Sequence, residues 1–438
     1  MNIDFTANAR NILIGGFGGK IGNWEDNWGD FDITNVNIEE VTVTGDIVLP
    51  GNAVSSNDFI DVGGLVGRNY NGSIKNSGYR DGNFSIQIGA GEARIGGAIG
   101  MNFGFVYGCY AMQKNFEFTK TGGGNAYVGG FVGHSNNLIE HCYSENPVDL
   151  NIDTSDTVGV RAGGFAGHSY DARYCYAKGN VSARSKQLIH MGGFAGAVEG
   201  NIRFCYATGN VTGFVSGPNY CNIGGFAGWS TANISDCYAV GNVFADRESG
   251  SFATFTIGSF VGLQDTNNIT NCFAAGTVTA HRYEIAPDAV SNLFSVGGFA
   301  GHIGWSQNTA SINKSAALGQ GVTATGALVI HTTTYRRDAG RFFGGVSTNG
   351  TASGNYAINT MQLYESDTYG DPRPGETIIT NGVHSNQHGA DASTSNLRNR
   401  DFWFNTLDFS ITNWDFFQVG IRGYPRLRDS NGGLLGGQ

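Results

Sequence analysis

One phrase recurs along the chain: Gly129-Gly130-Phe131-Val132-Gly133, Gly163-Gly164-Phe165-Ala166-Gly167, Gly192-Gly193-Phe194-Ala195-Gly196, Gly224-Gly225-Phe226-Ala227-Gly228 and Gly297-Gly298-Phe299-Ala300-Gly301. Weaker copies stand at Gly15-Gly16-Phe17, Gly63-Gly64-Leu65-Val66-Gly67, Gly96-Gly97-Ala98-Ile99-Gly100, Gly258-Ser259-Phe260-Val261-Gly262 and Gly344-Gly345. The period is roughly 30 to 35 residues through the middle and stretches towards both ends, as in solenoids that carry insertions and atypical terminal units.

Each unit has a second half about thirteen residues after its double glycine, a spacing that keeps one repeat within the period of a single solenoid winding. It reads Ile139-Glu140-His141-Cys142-Tyr143, Ile202-Arg203-Phe204-Cys205-Tyr206, Ile234-Ser235-Asp236-Cys237-Tyr238 and Ile269-Thr270-Asn271-Cys272-Phe273. Gly179-Asn180-Val181, Gly209-Asn210-Val211, Gly241-Asn242-Val243 and Gly276-Thr277-Val278 close the phrase and predict a positive-φ corner at Gly-Asn. Glycine this frequent costs a helix about 1 kcal/mol each, which excludes helical hairpins. Short runs of Val, Ile, Phe, Tyr and Thr between the corners predict strands.

Strands in so short a repeat bury an apolar face only by lying parallel on the same strand of the next coil. The expected fold is therefore all-β: a parallel β-helix of about ten coils, right-handed as parallel crossovers are. Ten coils at a strand spacing of about 4.8 Å make a rod on the order of 50 Å long. The expected organisation is N-terminal coils or cap over 1–62, regular repeats over 63–331, a loop-rich insertion with the last weak repeat over 332–395, and an aromatic-rich cap over 396–438. Trp403, Phe404, Trp414, Phe416 and Phe417 are expected to plug the last coil and cover its strand edges.

Stacking turns repeat positions into columns. Phe131, Phe165, Phe194, Phe226, Phe260 and Phe299 form a core column, and Cys109, Cys142, Cys175, Cys205, Cys237 and Cys272 a thiol ladder. In-register side chains point in parallel, which strains a disulfide, and a straight file does not converge on a metal. Cys221 lies outside the ladder and makes the total seven. Buried, unreactive core residues are the leading reading. Alternation sends the residue after each cysteine to the opposite face. Tyr110, Tyr143, Tyr176, Tyr206 and Tyr238 are thus the candidate ligand-binding residues, an outer aromatic stripe able to stack sugar rings or another protein. The competing reading has them stack on one another, or pack under a neighbouring loop, and only stiffen the rod.

The two half-motifs, Gly63-Gly64-Leu65-Val66-Gly67 and its relatives with a trailing Cys-Tyr-Ala-x-Gly-x-Val, resemble the GLUG motif of bacterial surface and secreted proteins. Asn413-Trp414-Asp415-Phe416, Val419 and Gly423-Tyr424-Pro425-Arg426-Leu427 resemble the segment that ends such arrays. The resemblance implies a bacterial, extracellular, adhesin-like or structural repeat protein and carries over no catalytic residues.

Other constellations carry less. His134, His168 and His302 follow the glycine phrase, but Ala197, Trp229 and Leu263 hold that position elsewhere, so turn residues rather than metal ligands are expected. His384 and His388 have metal spacing without a zincin pattern. Glu25, Asp26, Asp30 and Asp32 could offer oxygens to calcium, yet the spacing is not that of an EF-hand. Acidic residues such as Glu140, Asp171, Asp236 and Asp265 are scattered singly, without a recurrent acid–base pair. No cofactor is called for. A net charge of −10 argues against a nucleic-acid partner, and no run of eighteen apolar residues spans a membrane. The expected function is a noncatalytic extracellular or cell-surface solenoid acting as adhesin, spacer or structural component, with a glycan or cell-surface protein as partner. A polysaccharide-degrading β-helix enzyme and a filament that self-associates end to end are the alternatives.

Overall fold

Strands this short can satisfy their backbone groups only by pairing with equivalents one winding away. In the computed structural model, which describes residues 12–21, 36–51, 59–156, 158–216, 220–248, 254–282, 293–326, 336–366 and 386–437, the chain does this ten times. Each winding, or rung, gives one strand to each of five parallel sheets; four sheets are ten strands deep and the other is eleven. Rung 7 shows the plan: Cys221–Gly224 in the first sheet, Ala227–Ser230 in the second, Asn233–Ser235 in the third, Tyr238–Ala239 in the fourth and Val243–Arg247 in the fifth. The chain is an all-β parallel solenoid, and helix among the described residues is confined to short turns after Ser393. The acidic cluster at 25–32 and His384 lie outside the described residues.

The motif glycines are needed for close approach. A Cβ on Gly193 would sit 2.2 Å from the Gly225 carbonyl of the next rung, and one on Gly225 2.1 Å from the Ser259 carbonyl. Gly209, Gly241 and Gly276 meet the carbonyl of the preceding rung at 1.9 Å. None of these has a positive φ, which corrects the expected Gly-Asn corner. That corner is instead an asparagine ladder: the amides of Asn210, Asn242 and Thr277 donate to the side-chain oxygens of Asn180, Asn210 and Asn242 at 2.8–2.9 Å. The positive-φ residue is the one before each ladder cysteine, including His141, Tyr174, Phe204, Asp236 and Asn271 at φ between 52° and 56°.

Rung 10 is built on a different anchor from the one expected. Gly297 registers with Gly340, so the last copy is Gly340-Arg341-Phe342-Phe343-Gly344. Arg341 takes the second glycine's place where no further rung stacks above it, and its guanidinium binds the Asp391 carboxylate at 2.5 Å. Residues 336–366 supply all five strands of this rung. Its exposed edge is covered by Gln387, which accepts from the amides of Phe342 and Phe343, and by Ala390–Ala392, which pairs with Tyr356–Ile358.

Inside the rod the columns form as the repeat requires. Phe131, Phe165, Phe194, Phe226, Phe260, Phe299 and Phe342 are fully buried and stack at 4.7–5.0 Å between centroids. All seven cysteines are free and buried. Each ladder thiol donates to the carbonyl two residues back at 3.1–3.3 Å, bridging the positive-φ corner. Ser77 and Ser315 occupy the same column and make the same bond, at 2.7 and 3.0 Å. A second ladder was not foreseen: Asn69 donates to Asn102 at 2.9 Å, and Asn102 to Ser135 at 3.1 Å.

Candidate functional site

The tyrosines point outward from the fourth sheet, opposite Ala177, Ala207 and Ala239, which face the core. Tyr143, Tyr176, Tyr206, Tyr238 and Phe273 stack at 4.9 Å with nearly parallel planes. They do not form an open stripe. Tyr206 and Phe273 are fully buried, and Tyr176 and Tyr238 nearly so, beneath Leu397, Trp403, Leu407, Phe409, Trp414, Val419, Leu427 and Leu435. Tyr176, Tyr206 and Tyr238 are therefore closed to a ligand, because the C-terminal segment packs along this side of the rod. Of the aromatics expected to plug the last coil, Trp403 and Trp414 are buried in this strap and Phe416 packs against it, whereas Phe404 and Phe417 are exposed.

Polar contacts fix the strap's course down the rungs. Asn271 donates to the carbonyls of Leu407 and Asp408 at 2.8 and 3.0 Å, the Trp414 indole donates to Asp236 at 2.9 Å, and Ser430 meets His141 at 3.2 Å. Trp403 and Trp414 are completely buried, each worth roughly 4–6 kcal/mol of transfer free energy before entropy is charged. Burial pushes the Asp236 carboxyl above its usual range, against the opposing pull of the Trp414 hydrogen bond. Beyond the strap, Tyr143 and Tyr110 are half-buried, and Phe105, Tyr107 and Met112 are exposed. Phe105 stacks on Tyr107 at 6.4 Å and Tyr110 on Tyr143 at 5.9 Å, so an aromatic patch persists at rungs 3 and 4.

A second feature runs between the first and second sheets, whose outward side chains face one another. At rungs 2 and 3, Asp61 is buried between Arg68, which bonds it through Nε, and Arg94, 3.3 Å away. Arg94 also holds Glu92, and the Arg68 guanidinium lies 3.8 Å from the Phe59 ring centre. Burial raises the Asp61 pKa despite both cations. At rungs 4 and 5, His134 and His168 meet at 2.9 Å (Nε2 to Nδ1), and His168 Nε2 lies 3.1 Å from Glu199. Burial and the neighbouring His168 push His134 down to about 3, so His134 is neutral at physiological pH. The Glu199 carboxyl is lowered, chiefly by its bond from His168.

His134, His168 and His302 thus sit on second-sheet strands facing this groove, which corrects the expectation of turn residues. His388 accepts from the Arg341 amide in a non-helical loop. Among the described residues, no three His, Cys, Asp or Glu side chains are grouped to hold a metal ion. The sequence signal for these outward residues is a polar residue two places before the motif glycine in most copies, among apolar neighbours, as in Val160-Arg161-Ala162-Gly163 and Ile189-His190-Met191-Gly192.

Residues 219–243 and 253–279 match a family model described as the GLUG motif. Each match runs from the first-sheet strand to the start of the fifth-sheet strand of one rung, rungs 7 and 8. No curated protein and no solved structure matches the chain.

Proposed function

We propose that this chain, a GLUG-motif repeat protein, works outside the bacterial cell as a noncatalytic display rod, an adhesin or spacer that meets its partner through side chains arrayed on a rigid solenoid. The observation that carries this reading is the aromatic patch Phe105, Tyr107, Tyr110 and Tyr143, which continues the covered tyrosine column past the end of the strap. Stacked, preordered aromatic faces cost little entropy on binding and suit sugar rings or a protein surface.

The groove supports a binding role over hydrolysis. Asp61 and Glu92 are held by Arg94, and Glu199 by His168. A carboxylate held in this way is poorly placed to act as a glycosidase acid or base. Growth end to end is disfavoured at rung 10, where Gln387, Arg341 and Ala390–Ala392 cover the last edge.

The test is binding of the full chain to a glycan array and to intact cells, run beside a reducing-end assay on the same glycans. Retention by wild type, its loss in Tyr107→Ala/Tyr110→Ala, and no release of reducing ends support the reading. Release of reducing ends by the pure protein, or retention unchanged in the double variant, overturns it.

A further inference from the structure

The outward face of the first sheet holds a second, separate site at rungs 4 to 6. Arg161 lies in Gly159–Gly163, registered between Tyr127 one rung below and His190 one rung above. Across the groove, the second-sheet column carries Ala197 at rung 6 and Trp229 at rung 7. Arg161 reaches past the completely buried Ala197 towards Trp229, whose ring stacks on His190 at 5.8 Å. Its guanidinium carbon lies 5.2 Å from the Tyr127 ring centre and 5.9 Å from that of Trp229. The resulting pocket, about 170 Å³, is lined by Asn125, Tyr127, Gly159, Arg161, Leu188 and His190. Drug-sized ligands occupy roughly 300 Å³ or more, so this one takes a single small unit.

The polar groups around it are donors. Among the described residues no acceptor binds the Arg161 guanidinium, although other guanidinia of the groove, Arg68 and Arg94, are paired. The His190 tautomer follows from its neighbours. Thr256 donates its hydroxyl to the Asn222 side-chain oxygen at 2.5 Å, which turns the Asn222 amide nitrogen to His190 Nδ1 at 3.0 Å. Nδ1 therefore accepts, and the proton of the neutral ring sits on Nε2. Burial and the nearby Arg161 push His190 down to about 3, in keeping with a neutral ring. Asn125 spends its side-chain oxygen on the Gly159 amide at 2.9 Å, leaving its NH₂ as donor. A guanidinium, an imidazole N–H and an amide NH₂ thus line one small cavity beside the Tyr127 ring.

We propose that this pocket binds the carboxylate of an acidic sugar unit of a saccharide, with Arg161, His190 and Asn125 as donors beside the Tyr127 ring and Leu188. A planar guanidinium matches a carboxylate with two parallel bonds, and a cavity of this size takes the one acidic unit. The site lies on the outward face of the first sheet, apart from the Phe105–Tyr143 patch.

The test is isothermal titration calorimetry of the full-length protein with trigalacturonate, its uncharged methyl ester, and a tripeptide of glutamates. The acid saccharide is expected to bind, and the ester at least tenfold more weakly. Arg161→Gln should lose the preference for acid over ester, Arg161→Lys should weaken it, and Tyr127→Ala should weaken both saccharides. Arg161→Gln leaves the Phe105–Tyr143 patch intact, so loss of the acid preference in that variant assigns it to this site and not to the other surface. Arg161→Gln removes an outward side chain that makes no hydrogen bond, so its melting curve should match that of wild type. Equal binding of acid and ester, unchanged binding by Arg161→Gln, tighter binding of the glutamate peptide, or no heat from trigalacturonate at tens of millimolar would each overturn the proposal.

Discussion

Replacing Gly193 by alanine tests the close approach that the repeat is built on. The new Cβ would stand 2.2 Å from the Gly225 carbonyl oxygen and 3.2 Å from the Ala207 Cβ, where ordinary contact begins at 3.4 Å. The obstacle is backbone, so no side chain can swing away, and rungs 6 and 7 must part locally by about 1 Å of their roughly 4.8 Å spacing. Three hydrogen bonds cross that gap: Gly193 N to Gly224 O at 3.2 Å, and Phe194 N and Ala195 N to Phe226 O at 2.8 and 3.0 Å. Stretching them by that amount takes all three out of bonding range, at about 1 kcal/mol each, before the disturbed stacking of Phe194 on Phe226 is counted. The expected loss is about 3 kcal/mol or more. Gly321→Ala is the control, since its Cβ would meet only the Gln362 carbonyl, at 3.6 Å, and should shift stability by no more than about 0.5 kcal/mol. Urea denaturation with hydrogen exchange at rungs 6 and 7 reads both variants, the exchange being needed because long repeat arrays need not unfold in one step. Equal stability and equal protection for the two variants would refute the reasoning.

All seven cysteines are sealed from solvent, and burial keeps the thiols of Cys142, Cys175, Cys205 and Cys237 well above their usual pKa and pushes Cys221 up to about 12, while the hydrogen bond with Cys142 lowers Cys109; because no thiol is accessible, a thiol reagent at pH 8 should label no cysteine until the protein unfolds, and stoichiometric labelling of the native protein would contradict this. Trp414→Ala should cost roughly 3–5 kcal/mol, felt as release of the strap, so protease cleavage within 393–435 should rise while the far-ultraviolet circular dichroism of the rod stays unchanged. Resistance of the variant to cleavage would count against a separately docked strap. The raised pKa of Asp236 means that the native state binds its proton more tightly than the unfolded chain does, so its contribution to stability falls as pH climbs through and above the ordinary carboxylate range. Asp236→Asn keeps an acceptor for Trp414 and suits a φ of 52°, so it should be more stable than wild type at pH 7, with the advantage vanishing below about pH 4. Parallel stability profiles of the two proteins against pH would refute this.

The rod was legible because its signals are periodic. Double glycines, the phenylalanine column and the cysteine ladder repeat at fixed offsets, and stacking turns offsets into contacts. Chemistry that varies from rung to rung was harder to read. The positive-φ corner carries His141, Tyr174, Phe204, Asp236 and Asn271, so residue type gives no clue and only the place before the cysteine does. Gly-Asn looked like that corner because both residues favour it, whereas Gly209 and Gly241 answer a steric demand from the adjacent rung. The tyrosine column was placed on the correct face, but its cover comes from residues more than 150 positions away: the Trp414–Asp236 bond has no signature within one repeat. Arg161 and His190 alternate with apolar neighbours as any outward strand residue does, and only their stacking with Asn125 and Tyr127 on successive rungs of the first sheet makes them a pocket.

The most direct measurement of in-register stacking is continuous-wave electron paramagnetic resonance with nitroxides at Asn201→Cys and Asn233→Cys, exposed positions that are Cα partners on adjacent rungs of the third sheet. With the native thiols buried, the labels go to these two sites. Cα atoms one strand spacing apart, about 4.8 Å, should give strong spin exchange and a broadened spectrum that each single label lacks. Sharp, additive spectra from the double-labelled protein would contradict the stacked rod.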